Sequence, residues 1–167
     1  MPDFVLALGL VICLITDLKE RRIYNVVLLP LLIFGLSYNL FTGGFTGLMQ
    51  SILGTITGLG ILIIPFALGG IGAGDVKLLA VIGAVKGPLF VVYSALGMGL
   101  AGGIIALLIL TYQGSVINTL KSFFRGIWLM LITGFKVIKF DFDNEKTMLP
   151  YGLAIAIGVV GAYWWMR

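Results

Sequence analysis

The chain has 167 residues, of which 60% are hydrophobic and 11% are charged, and its formal net charge is +4. A soluble domain this apolar would expose large hydrophobic patches, so the composition indicates an integral membrane protein. The absence of histidine and the single cysteine exclude a histidine-based triad, an intramolecular disulfide and a four-cysteine zinc site. The basic residues lie in short polar segments, where they set membrane orientation, so no nucleic-acid partner is expected.

Apolar runs separated by short polar segments predict an all-α integral membrane protein with about six transmembrane helices. In chain order, the predicted spans are about 4–18, 25–41, 48–68, 75–85, 89–112 and 150–165. The sequence Thr42-Gly43-Gly44 predicts the break after the second span. The first run has no basic segment before it and no small-residue cleavage pattern after it, so we expect a retained span. We expect residues 1–167 to form one membrane-embedded domain.

The segment 113–147 differs from the rest of the chain. Its apolar stretch, 126–137, is too short to cross a bilayer that requires roughly 20 residues. Lysine and arginine bracket the stretch closely, at Lys121, Arg125, Lys136 and Lys139. This pattern predicts a cytoplasmic, interfacial amphipathic helix or a re-entrant segment. A seventh, tilted span is the alternative.

The basic residues predict an orientation. In a six-span chain, nine of them fall on one side, namely Lys19, Arg21, Arg22, Lys77, Lys121, Arg125, Lys136, Lys139 and Lys146. Only Lys86 and Arg167 fall on the other side. The excess of positive charge in cytoplasmic segments places the N-terminus outside. Asp17, at the end of the first span, and Asp75, at the start of the fourth, are then both expected at the cytoplasmic boundary.

Acidic residues at membrane depth are candidates for a functional site. Asp75 has a structural alternative, since aspartate often caps a helix N-terminus. Asp17 has one too, because the basic residues that follow it could pair with it. At about 4 Å and an effective dielectric constant near 20, two carboxylates repel by roughly 4 kcal/mol, so they would share one proton. The ionised one could take a proton from water, while the protonated one polarises a scissile carbonyl and later protonates the leaving nitrogen.

Glycines precede the second acid. Gly72 and Gly74 flank Ala73, and we expect them to let the backbone bend and to let a substrate backbone approach. The alternative is that these small residues serve close helix packing. Four other glycines have the spacing typical of such packing, namely Gly54, Gly58, Gly99 and Gly103.

Three stretches together resemble a known family, the aspartic type IV prepilin peptidases. The sequence DLKERRIYN at 17–25 is similar to the first signature of that family. The sequence GAGDVKLLA at 72–80 resembles the second, G-x-G-D-x-K-L-L-A, and PYGLAIAIG at 150–158 resembles the opening of the last helix. The resemblance covers nearly the whole chain, with the three signatures in the family's order.

The resemblance implies a membrane endopeptidase that removes a short basic leader from type IV prepilin-like precursors at the cytoplasmic face of the inner membrane. Asp17 and Asp75 match the catalytic pair. The supporting motif residues are Gly72, Gly74, Lys77 and Asn25. Two roles are open for Lys77, which could tune Asp75 or face lipid head groups, and Asn25 could cap the second span. No cofactor and no metal site are expected.

The chain departs from the family pattern in two ways. Tyr24 stands where the first signature usually has proline. No cysteine-containing insert separates the first two spans, so we expect cleavage without N-methylation. The small size resembles the short form associated with Tad/Flp-type pili, which we prefer, or the archaeal preflagellin form.

Some features of the sequence fit more than one function. Glu20 and the acidic cluster at 141–145 are candidates for binding a basic leader, although that cluster fits a solvated loop as well. A proton-coupled small membrane transporter and a non-catalytic membrane subunit of pilus assembly are the alternative functions. Another class of two-aspartate membrane protease places tyrosine before its first aspartate, whereas Thr16 precedes Asp17 here.

Overall fold

The computed structural model describes residues 2–20, 23–67, 70–112 and 151–166, and these residues are mostly helical. The helices are α1 (Pro2–Glu20), α2 (Asn25–Ala67), α3 (Ala73–Lys86), α4 (Pro88–Tyr112) and α5 (Tyr151–Trp165). The described part of the chain contains no strand, in agreement with the predicted all-α class. The predicted interfacial helix at 113–147, with its acidic cluster at 141–145, lies outside the described residues.

Helix α2 reverses direction at one residue. Gly44 has φ 59° and ψ −145°, a conformation that is costly for any residue with a Cβ. The two arms, 25–43 and 45–67, run antiparallel, and Asn39 Nδ2 donates a hydrogen bond to Ser51 Oγ at 2.8 Å between them. The predicted spans 25–41 and 48–68 correspond to these arms. The break is shorter than expected, because a single glycine makes the reversal.

The same polar pair caps the end of α3. Asn39 Nδ2 lies 3.0 Å from the carbonyl oxygen of Ala84 and 3.2 Å from that of Val85, and Ser51 Oγ donates to Ala84 O at 2.7 Å. Carbonyls in the last turn of a helix have no partner within the helix, so they need donors from elsewhere. In an apolar surrounding such side-chain hydrogen bonds contribute about 0.6 kcal/mol each.

Helix α3 is the central element of the bundle. Ten of its 14 residues are buried, including Leu79 and Ile82 at 0% exposure. The helix contacts all four other described helices. Between Lys77 and Lys86 its residues, 78–85, are all apolar, as expected for a helix surrounded by others. The burial of α3 fixes the position of Asp75, which lies in that first turn.

Glycine pairs bring some helix backbones into direct contact. A Cβ at Gly54 would lie 2.1 Å from the carbonyl oxygen of Gly83, and one at Gly58 would lie 2.7 Å from Ala80 Cα. The predicted packing role is therefore confirmed for these two glycines. For Gly99 and Gly103 it stays a prediction, because a Cβ at either position would meet no atom within 4 Å in the described part of the chain.

Helices α4 and α5 form an antiparallel pair. A Cβ at Gly97 would lie 2.8 Å from Gly158 Cα, while the ring of Phe90 packs edge-on against that of Tyr163 at 4.9 Å between centroids. The contact at Gly158 is possible because both helices carry small residues at the crossing.

Two stretches of the described helices are long and apolar enough to cross a membrane, Asn25–Ala67 and Pro88–Leu108. Large apolar side chains on the outer surface are well exposed, for example Val26 at 80% and Phe41 at 85%. Such extensive apolar exposure is typical of lipid contact. The count of six spans stays a prediction.

An ionic contact closes the end of the bundle where α1 begins and α3 ends. Asp3 forms a salt bridge with Lys86 and accepts a hydrogen bond from Tyr163 Oη at 2.5 Å. These hydrogen bonds lower the pKa of Asp3 below its ordinary value. The contact links α1, α3 and α5 at this end.

Candidate active site

Asp17 and Asp75, which are 58 residues apart in the sequence, line the same cavity of about 350 Å³. Its lining consists of Asp17, Ile23, Tyr24, Asn25, Gly72, Ala73, Gly74 and Asp75. Helix α1 ends beside this cavity, whereas α2 and α3 begin there. The end of one helix and the starts of two others therefore bring the two acids together.

Asp75 is buried, with 7% of its surface exposed. Gly72 occupies the N-cap position of α3, and its backbone N–H donates to Asp75 Oδ2 at 3.3 Å. Asp75 Oδ1 is buried as well and has no hydrogen-bond partner among the described residues. One oxygen of this carboxylate thus serves the helix end, as the structural alternative expects. The other oxygen accepts no hydrogen bond in this part of the chain, which is unusual for a buried polar atom.

Asp17 is partly exposed and lies in the last turns of α1. The backbone N–H of Gly152 donates a hydrogen bond to Asp17 Oδ2 at 3.0 Å. Gly152 is the second residue of α5, so its N–H has no acceptor within that helix and points toward an outside partner.

Sequence analysis did not assign Gly152 to the site. The stretch 150–158 is recognisable as a motif, but no linear pattern connects it with an aspartate 135 residues earlier. A Cβ at position 152 would lie 2.6 Å from Asp17 Oδ2. A sequence can therefore indicate this contact only by having a glycine in the first turn of an apolar helix.

The motif glycines act differently from the expectation. Gly72 has φ −76° and ψ 150°, a conformation open to any residue, and Gly74 lies inside α3. The chain bends just before them, at residues 70 and 71, and α3 begins directly after Gly72. The missing side chain matters at Gly74, since a Cβ there would lie 2.9 Å from Ile23 Cβ. Gly74 thereby lets the segment after α1 approach α3.

Lys77 contacts neither Asp75 nor an acid elsewhere in the described residues. Its Nζ donates a hydrogen bond to Asn25 Oδ1 at 3.0 Å, in an exposed position. Lys77 therefore joins the starts of α2 and α3, and its two predicted roles stay predictions. The side-chain oxygen of Asn25 accepts this hydrogen bond from Lys77 and does not cap the start of α2 as expected.

Two neighbours of the site were not predicted as part of it. Ile23 and Tyr24 line the cavity, and Tyr24 Oη donates a hydrogen bond to Glu20. One apolar and one aromatic side chain therefore line the cavity beside the two acids. Within the described ranges, no group of three or more His, Cys, Asp or Glu residues could hold a metal ion.

Comparison with known proteins identifies the family. The family model described as the type IV leader peptidase family matches residues 4–107. A preflagellin peptidase from Methanocaldococcus jannaschii is 37% identical over 92 residues, which cover 51% of this chain and 38% of that protein. The chain therefore spans well under half of this relative's length. No solved structure matches the chain significantly. Since the family model covers more than half of the sequence, the chain belongs to the type IV leader peptidase family.

Proposed function

We propose that the protein is an aspartic endopeptidase that removes the N-terminal leader from type IV prepilin-like precursors at the cytoplasmic face of the membrane. The observation that carries the proposal is the shared cavity of Asp17 and Asp75. Membership of the type IV leader peptidase family supports this activity. The similarity to a preflagellin peptidase supports it as well.

The chemistry follows from the pair of carboxyl groups. One ionised carboxylate accepts a proton from water as the water oxygen bonds to the scissile carbonyl carbon. The other carboxyl donates a hydrogen bond to the carbonyl oxygen and later gives its proton to the leaving nitrogen. Asp75 Oδ1 has no structural partner in the described chain, which suits contact with water or a peptide.

A membrane relay is less well supported than hydrolysis. Asp75 is the only charged side chain that is buried in the described helices, and it lies beside Asp17 at one end of the bundle. Proton transfer across a membrane requires polar groups at several depths. The arrangement of the acids favours chemistry at one surface.

The product is expected to keep a free, unmethylated N-terminus. Four residues, 21–24, separate α1 from α2, and this connection has no cysteine. In the longer members of the family, we expect the methylating domain to lie between the first two helices. The short connection here therefore supports cleavage without methylation.

The proposal is tested by co-expression with a prepilin-type or a preflagellin-type precursor. Asp17→Asn and Asp75→Asn keep the shape of the side chain but remove its acid function, and each is expected to slow precursor cleavage by about 10²- to 10⁴-fold. Asp3→Asn is the matched control at the opposite end of the bundle, and it should cleave normally. Immunoblots give the rate, and mass spectrometry of the product gives its N-terminus. Cleavage at the wild-type rate by either active-site variant would overturn the assignment.

A further inference from the structure

The two carboxylates at the cavity have unequal surroundings. Asp17 Oδ2 accepts the N–H of Gly152 at 3.0 Å, a good hydrogen-bond distance. Asp75 Oδ2 receives a longer contact of 3.3 Å from Gly72, and Asp75 Oδ1 has no partner among the described residues. Asp75 is also the more deeply buried of the two. The site is therefore asymmetric before any substrate enters it.

This asymmetry affects which acid carries a negative charge. The first turn of a helix attracts anions through its unpaired N–H groups. Both acids meet such a helix start, Asp17 at α5 and Asp75 within α3. The contact of Asp17 is shorter, and burial without a full set of donors penalises a charge on Asp75.

The other charged and titratable groups that the structure describes near Asp17 do not reverse this preference for a negative charge on Asp17. Cys13 is buried on the same helix, and Tyr151 lies at the start of α5. Lys77 donates a hydrogen bond to Asn25 and forms no salt bridge with Asp75. Lys19 and Glu20, which follow Asp17 on α1, are exposed and carry opposite charges.

We propose that Gly152 is a positioning residue that holds Asp17 as the proton-accepting carboxylate, which leaves Asp75 as the carboxyl that carries the shared proton. This inference rests on the proposed function. Asp17 takes a proton from water as the water oxygen bonds to the scissile carbon. Asp75 stabilises the oxyanion through its O–H and then protonates the nitrogen as the C–N bond breaks. Transfer of one proton from Asp17 to Asp75 restores the starting state.

The absence of a side chain at position 152 allows the contact. A Cβ there would lie 2.6 Å from Asp17 Oδ2, so Gly152→Ala must displace the carboxylate. Gly161 lies on the same helix, and a Cβ there would meet no atom within 4 Å in the described chain. Gly161→Ala is thus a matched control that makes the same chemical change without the clash.

The kinetic experiment compares these two variants with the wild type on a co-expressed or purified precursor. Gly152→Ala is expected to lower kcat on the order of 10- to 100-fold with little change in KM, because the misplaced group acts in the chemical step. The acid limb of its pH–rate profile should move to higher pH, since the carboxylate loses an anion-binding contact. Gly161→Ala should match the wild type in rate and profile. A wild-type profile in Gly152→Ala would overturn the inference.

Chemical labelling of the wild-type protein tests the same assignment without any folding defect. A small epoxide alkylates an ionised carboxylate, whereas a copper-activated diazo ester esterifies a protonated carboxyl with loss of nitrogen. Peptide mass spectrometry should find the epoxide on Asp17 and the diazo-derived ester on Asp75. The reverse pattern, or one reagent on both residues, would contradict the inference.

The two proposals fail in different ways. If Asp17→Asn or Asp75→Asn still cleaves normally, the aspartic mechanism itself is wrong. If both variants are inactive but the labels are exchanged, the mechanism stands and only the assignment of the acid and the base is wrong.

Discussion

At the scale of single residues, the site is held by contacts that each join two helices. Gly152 joins α5 to α1, and Lys77 joins α3 to α2 through Asn25. These contacts determine how the starts of the helices are arranged around the two acids. The role of a motif residue therefore depends on its partner in space.

The contact of Lys77 with Asn25 predicts non-additive effects of mutation. Lys77→Met and Asn25→Ala should each weaken stability slightly, and the double variant should cost no more than the larger single effect. The expected coupling is about 0.5–1 kcal/mol, because the charged hydrogen bond is exposed and screened. Thermal unfolding in detergent measures it in a double-mutant cycle. If Lys77→Met abolished cleavage while Asn25→Ala did not, Lys77 would have to act on Asp75 directly.

The residues of the site differ in how far the sequence could predict them. Asp17 and Asp75 stand out because a carboxylate in an apolar chain is costly, and charge counting brings both to one end. Gly152 and the partner of Lys77 depend on contacts between distant parts of the chain. No local periodicity encodes those contacts, so they needed the folded structure.

At the scale of the helices, Gly44 determines the shape of α2. Its backbone conformation is open mainly to glycine, and the reversal makes the two arms pack against α3. Sequence analysis predicted the break at 42–44 from its turn residues. The spacing of the glycines is a weaker guide to helix packing, because it does not show which side of a helix has a neighbouring helix. Gly54 has a neighbouring helix, whereas Gly99 has none among the residues that the structure describes.

Substitution at the reversal should affect stability according to backbone conformation. Gly44→Ala is expected to destabilise the protein by about 1–3 kcal/mol, the usual cost of a residue forced into such a conformation. Gly43→Ala is the matched control, since a Cβ there meets no described atom within 4 Å and alanine favours the helix. Unfolding of both variants in detergent gives the comparison. Equal stability of the two variants would show that the arms can reverse without this conformation.

At the scale of the whole molecule, the two ends of the bundle differ in charge. Lys19 and Lys77 lie at the end with the cavity, while Lys86 lies at the opposite end and is paired with Asp3. In the described chain, the end with the cavity thus has two lysines and the opposite end has one. A cytoplasmic location of the cavity stays a proposal that rests on the count of basic residues over the whole sequence.

The orientation can be tested with single cysteines, since the native Cys13 is buried. Glu20→Cys, at the end with the cavity, should react with an impermeant thiol reagent only after the cytoplasmic side is opened. Met166→Cys, at the far end of α5, should react in intact cells. Labelling of Glu20→Cys from outside would reverse the proposed orientation.

The rates of precursor cleavage by Asp17→Asn, Asp75→Asn and the double variant test the account most directly. Groups that act as one unit lose their effect together, so the double variant should be no slower than either single variant. All three should fall to the same low rate, while Asp3→Asn cleaves normally. Multiplicative losses, or near-normal cleavage by any of the three, would contradict a single catalytic pair at this cavity.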